Sequence, residues 1–140
     1  MIEVYNSNIM TWPWNCCWKT SQDIAQHFGL KTEVGDEYLS LPTEDLAIKK
    51  LVKCYGNMFL GFKSLAIKTG FKKVPNNGKH RHGDIGIFEN ELFGPMTIFY
   101  DDFSGGPFGG AWLIWTEIGM RNFRVQYYPD IDLSIFRGGV

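Results

Sequence analysis

Cys16 and Cys17 stand side by side in Trp12 to Phe28, the stretch where the first helix of this chain opens. Asn15 has the side-chain oxygen of an N-cap, and Gly29 falls where a left-handed residue closes a helix. A thiol in the first turn of a helix feels the positive end of the macrodipole, which lowers its pKa and favours the nucleophilic thiolate. Cys16 is therefore the candidate nucleophile, with Asn15 as its cap. The structural alternative is that two soft side chains pack between tryptophans. A cysteine nucleophile also needs an imidazole base within hydrogen-bond reach, and the chain has 3 histidines. His27 lies too far along the same helix, at about 16 Å from Cys16 for 1.5 Å of rise per residue, and reads as a surface residue. His80 and His82 are two apart and would share one face of a strand, so a metal site with Cys16 or Cys17 is thinkable. Neither a CxxC nor an HExxH spacing is present, and the expectation is no metal and no cofactor.

The elements that must position these groups follow from periodicity. Trp14, Cys17, Trp18, Ser21, Ala25 and Phe28 step by three and four and form one apolar stripe, leaving Lys19, Gln22, Asp23 and Gln26 for water. Leu30 to Leu41 reads as a polar turn around Gly35-Asp36. Thr43 caps a second helix whose stripe of Leu46, Ala47, Leu51, Cys54 and Tyr55 ends at Gly56, which makes Cys54 structural. A third helix spans about Asn57 to Thr69 and stops at Gly70. Three helices thus precede any strand. Lys72 to Gly78 is loop chemistry, and Lys79-His80-Arg81-His82 is a short basic run into Gly83-Asp84.

Everything beyond that point has the β-branched and aromatic content of sheet. Strands are expected over Asp84 to Glu89, Met96 to Tyr100, Ala111 to Glu117 and Asn122 to Tyr128, joined by short turns that make neighbours antiparallel, with one last short strand near the end. Trp112 and Trp115 are an odd number of residues apart and point to opposite faces. One covers the helices, and the other calls for a second layer or a partner. The glycine-rich loop Asp101 to Gly110 has no Lys-Ser/Thr after it and reads as a mobile hairpin tip rather than a phosphate cradle. Its Phe103 and Phe108 join Trp112 and Trp115 as candidate partner-binding residues.

Composition bounds the rest. A chain of 140 residues is expected to form a single domain over 1–140, burying roughly 65 to 70 per cent of its unfolded surface. A net charge of −1 argues against a nucleic-acid binder. Three cysteines, two of them adjacent, make no disulfide framework and read as reduced thiols of a protein folded in a cytoplasm. No signal peptide is expected at the start, and no segment reaches the ~20 apolar residues of a membrane span.

The order of these parts resembles the NlpC-type cysteine peptidases of the papain-like class, in the small versions carried by bacteriophage tail gene clusters. Trp14-Asn15-Cys16-Cys17 matches the tryptophan-x-cysteine box, His82-Gly83-Asp84-Ile85-Gly86-Ile87-Phe88 the Gly-Asp strand, and Phe136-Arg137-Gly138 the closing box. The resemblance covers nearly the whole chain. It implies an α+β fold, with N-terminal helices packed on a twisted antiparallel β-sheet and Cys16 at the nucleophile position. In that family Asp precedes the cysteine, where this chain has Asn15, and a histidine base opens the strand after the Gly-Asp hairpin. Here that strand opens Gly94-Pro95-Met96-Thr97 without a histidine. His82 would sit roughly 20 Å from that end of the hairpin. The expectation is a virion tail protein made in the host cytoplasm, structural or adaptor in role, without hydrolase activity and bound to other phage tail proteins in a multi-subunit assembly. The alternative is an active cysteine peptidase with Cys16 attacking peptidoglycan crosslinks.

Overall fold

Helix-capping residues and glycine stops divide the first half of the chain as their chemistry dictates. In the computed structural model, which describes residues 17–91, 94–102, 110–116 and 118–139, α1 covers Cys17–His27, α2 Glu33–Leu39, α3 Glu44–Tyr55 and α4 Met58–Thr69. Thr43 accepts from the Leu46 N–H and Asn57 from the Leu60 N–H, so each side chain pairs one of the donors a helix start leaves open. Gly70, at φ 114°, closes α4 in a conformation that side chains with a Cβ rarely adopt.

Three expectations about the helices change, two of them together. α2 occupies part of the segment read as a turn, so four helices, not three, precede the sheet. Gln22, assigned to water, is 8% exposed, and Thr20 is fully buried. Both follow from the same packing. α1 is covered by the sheet on one side and α2 on another, and the Gln22 carboxamide donates to the Thr32 carbonyl and to Asp36 Oδ1. Its Oε1 lies against Gly35, where a Cβ would come within 2.3 Å, so only glycine lets α2 approach. Cys54, expected in the core, is exposed.

The second half is a six-stranded, wholly antiparallel sheet in the order β1-β6-β2-β3-β4-β5. Its strands are β1 Lys72–Val74, β2 Ile85–Asn90, β3 Gly94–Asp101, β4 Ala111–Thr116, β5 Gly119–Phe123 and β6 Ser134–Arg137. The architecture is α+β, with the helices on one face of the sheet. β1 lies in the stretch expected to be loop. β5 begins earlier than expected, because the pairing Thr116↔Gly119 turns the chain within two positions, and Val125–Tyr127 is a 3-10 turn rather than strand.

Alternation assigns the two faces. Ile85, Ile87, Phe99, Leu113, Trp115 and Phe136 join Ile24 and Ala25 of α1 in the core beneath the helices. Phe88, Ile98, Trp112 and Ile135 point the other way, where Leu133 and the half-buried Phe123, Val125 and Ile131 cover them. A third cluster, Trp18, Tyr38, Ala47 and Leu51, ties α1, α2 and α3 together. No described helix is long and apolar enough to cross a membrane.

Candidate functional site

Contacts along α1 fix its direction across the sheet. At its C-terminal end Phe28 lies against Gly138 and Phe71, beside the end of β6 and the start of β1. One turn from its start, Thr20 accepts the indole N–H of Trp115 on β4 at 2.8 Å. At its start Cys17 lines a small apolar cavity of about 70 Å³ with Ser21, Phe62, Ile85, Ile87 and Thr97. Ile87 and Thr97 are register partners on β2 and β3. The cysteine end of the helix therefore faces the first half of β3, the strand whose opening would carry an imidazole in the family resembled. Threonine stands there, and no histidine is among the described residues lining that cavity. Cys16 and Asn15 lie outside the described residues, as do Phe103 and Phe108.

His82 is at the other end of the hairpin. The Gly83 N–H donates to the Tyr100 carbonyl and the Tyr100 N–H to the Asp84 carbonyl, each at 2.9 Å, which places His82 beside the end of β3. Its Nδ1 accepts the Asp102 N–H at 3.1 Å and lies 3.4 Å from Oδ1 of the fully buried Asp101. Thr97 and Asp101 share a face of β3, and the four residue steps from one to the other span roughly 13 Å. The His82 Nδ1 is thus engaged by the Asp102 backbone beside a buried carboxylate, and His82 sits at the far end of the strand from Cys17.

The Gly-Asp strand and the closing box meet in one feature. Asp84, 1% exposed, takes a two-pronged bond from Arg137, Nε to Oδ1 and Nη2 to Oδ2, both 2.8 Å, and its Oδ2 also accepts the Arg81 N–H at 2.9 Å. The second Arg137 prong reaches the Lys79 carbonyl at 3.2 Å. Hydrogen bonding to Asp84 raises the Arg137 pKa. The pair locks β2 to β6, where Ile85 faces Phe136. It is a buried brace, with every carboxylate oxygen occupied.

The two tryptophans point to opposite faces as expected, one beneath the helices and the other beneath a second layer, so neither offers exposed surface to a partner. Trp115 is 8% exposed under α1, and Trp112 is 6% exposed. Trp112 is covered within the chain, its ring centroid 4.9 Å from His80 and 5.3 Å from Tyr100. Exposed apolar side chains lie elsewhere, at Ile118 and Tyr127 beside the β5 edge and at Leu60 and Ile67 on α4. His27 is at the surface, as expected. No group of three metal-ligating side chains occurs among the described residues.

A second, larger cavity of about 480 Å³ opens on the sheet face away from the helices, lined by His80, Tyr100, Trp112, Phe123, Val125 and Leu133 and bordered by the remaining residues of 122–126. The alternation after the β4–β5 turn puts Phe123 and Val125 on that face and turns Asn122, the register partner of Leu113, to the other. In comparisons with known proteins the chain matches no family model, no curated protein and no solved structure.

Proposed function

We propose that this chain is a phage tail component of NlpC-type, papain-like architecture that has lost the hydrolytic centre and works as a structural or adaptor protein. The observation that carries the reading is Thr97. It occupies the strand wall opposite the cysteine end of α1, while His82 is held by Asp101 and Asp102 some four residues further along β3. General base assistance is worth about a hundredfold to ten-thousandfold in rate, so a thiol supported by the helix dipole alone falls far short of a peptidase. The joining of Gly83-Asp84 to Phe136-Arg137 through one buried ion pair supports a common architecture for the two boxes of the resemblance. Surface for neighbouring tail proteins comes from Ile118 and Tyr127, 67% and 70% exposed, in place of the buried tryptophans.

The test has two arms. Purified protein is treated with a thiol-reactive probe and incubated with peptidoglycan. Labelling of the N-terminal thiols at the rate of an ordinary cysteine and no released peptide are expected. Rapid labelling of Cys16 with peptide release that vanishes in Cys16→Ala would establish the enzyme instead. Mass spectrometry of purified phage particles is expected to find the chain in tails, and its absence from particles overturns the adaptor role.

A further inference from the structure

The net charge of −1 hides how unevenly the charge is distributed. Nine of the chain's 14 Lys and Arg residues lie between Leu46 and Gly83, and no Asp or Glu does. That stretch is most of α3, all of α4, β1 and the loop into β2. α4 packs toward the sheet through Phe59, Phe62 and Ala66, so its other side looks outward. There Leu60 and Ile67, 52% and 59% exposed, lie two turns apart with Lys63 between them at the i+3 position. α3 packs beside α4, Leu51 against Gly61, and its exposed Leu46, Lys49 and Lys53 repeat the same spacing. Lys73 extends the face to the sheet edge. It is the register partner of Phe136, which faces the helices, so its exposed side chain projects on the helical side of β1. Lys49, Lys53, Lys63 and Lys73 have no carboxylate partner among the described residues.

We infer that this face rests on an anionic phospholipid surface, with Leu60 and Ile67 entering the headgroup region and the lysines meeting lipid phosphates. A helix lying in the plane of a bilayer presents this mixture of aliphatic and lysine side chains, and a lysine stem covers apolar surface while its ammonium stays in water. Charge complementarity calls for an anionic occupant, and side-chain type separates the lipid surface from other polyanions. Protein interfaces are enriched in Arg and aromatic rings and depleted in Lys, and single-stranded nucleic acid stacks on exposed rings. Here eight of the nine cations are Lys, and Tyr55, Phe59, Phe62 and Phe71 are buried or half-buried. Exposed aliphatic side chains find no counterpart along a phosphate backbone, whereas acyl chains take them up. The contact is peripheral. It uses the opposite side of α4 from the cavity beside Cys17 and stands independently of any tail role.

Flotation of the full chain with vesicles of phosphatidylcholine alone, or with about a third phosphatidylglycerol, tests the assignment. The chain is expected to float with the anionic vesicles, to stay behind with phosphatidylcholine, and to be released as salt is raised. Lys63→Ala and Lys73→Ala should each lower the affinity about fivefold. Leu60→Ser with Ile67→Ser, at exposed positions and checked for folding by circular dichroism, should lower it about tenfold or more. Ile118→Ser, exposed but outside the face, should leave it unchanged. No flotation with anionic vesicles overturns the inference, as does equal flotation with both kinds. Anionic binding untouched by the Leu60 and Ile67 substitutions makes the face a bare charge contact and overturns it too. Equally tight binding of polyglutamate or of a DNA oligonucleotide, lost in the same lysine variants, would assign the face to an acidic protein or to nucleic acid instead.

Discussion

Asp84 and Arg137 illustrate what a buried charge demands of its surroundings. Asp84 is 1% exposed and Arg137 13% by side chain, so both ions have given up most of their water. The Arg137 fork and the Arg81 N–H return hydrogen bonds in its place. Removing one partner leaves the other stranded. Arg137→Ala is expected to destabilise the fold by about 3–5 kcal/mol, read from the urea midpoint. Arg137→Lys should recover only part of that loss, because an ammonium cannot fill both carboxylate oxygens in the plane of the fork. A loss below 1 kcal/mol would mean that the pair behaves as a surface contact. His80 gives a second expectation at this scale. Burial lowers its pKa, with Arg137 acting in the same sense and Asp84 opposing. The folded chain then binds this proton less readily than the unfolded chain. The contribution to stability is fully present above about pH 6.5 and is lost as pH falls through the depressed folded value. NMR titration of the His80 ring should find its midpoint below the ~6.5 of an unperturbed imidazole, and His80→Phe should flatten the acid-side fall in the urea midpoint. An unchanged slope would place that proton linkage on another group.

At the scale of elements, local chemistry and distant packing divide the credit. Thr43, Gly56 and Gly70 announced the ends of α3 and α4 correctly because capping is settled within a few residues of the helix end. β2, β3 and β4 were legible from β-branched and aromatic runs, and the facing of Trp112 and Trp115 from the period of two. α2 was hidden because Gly35-Asp36 carries turn chemistry, and the reason for glycine there is Gln22, a residue on another helix. β1 was hidden because Lys72-Lys73-Val74 has no strand character of its own; it pairs with Arg137, Phe136 and Ile135, a partner strand far along the chain. For the candidate site, the absent imidazole on β3 could be read from Gly94 to Thr97, but the Asp84–Arg137 brace and the cavity near Phe123 required the register of β6 and the path after β5. The contact of α3 with α4 supplies the prediction here. A Cβ on Gly61 would meet Leu51 Cγ at 2.4 Å, and Leu51 is fully buried. Alanine gains about 1 kcal/mol in helix propensity, whereas overpacking of this kind costs about 1–3 kcal/mol. Gly61→Ala should therefore be net destabilising in thermal melts, and the double variant Gly61→Ala with Leu51→Val should recover stability relative to Gly61→Ala alone. A stabilised single variant would show that the two helices slide apart freely.

Over the whole molecule, the sheet couples two apolar layers that share no side chains. β2 sends Ile85 and Ile87 toward the helices and Phe88 away; β3 sends Phe99 and Ile98 in opposite directions; β4 does the same with Leu113 and Trp112. A strand cannot leave one layer while keeping its place in the other, because both sets hang on the same backbone ladder. The layer away from the helices is closed by Val125, Ile131 and Leu133, from the irregular path between β5 and β6. This path is the weaker cover, yet Ile98 beneath it is as fully buried as Ile24 under the helices, both at 0%. Truncation should therefore cost the same class of energy on either side. Ile24→Ala and Ile98→Ala are each expected to lose about 2–5 kcal/mol, with one unfolding transition whose midpoint is the same by tryptophan fluorescence and by far-ultraviolet circular dichroism. The dependence on denaturant should keep its slope in both variants, since the surface exposed on unfolding is unchanged. If Ile98→Ala instead loses its aromatic near-ultraviolet signal first, with helical signal intact, the cover over Trp112 melts by itself. The ladder would then not transmit stability from one face to the other, and the cavity beside Phe123 would open and close independently of the helical half.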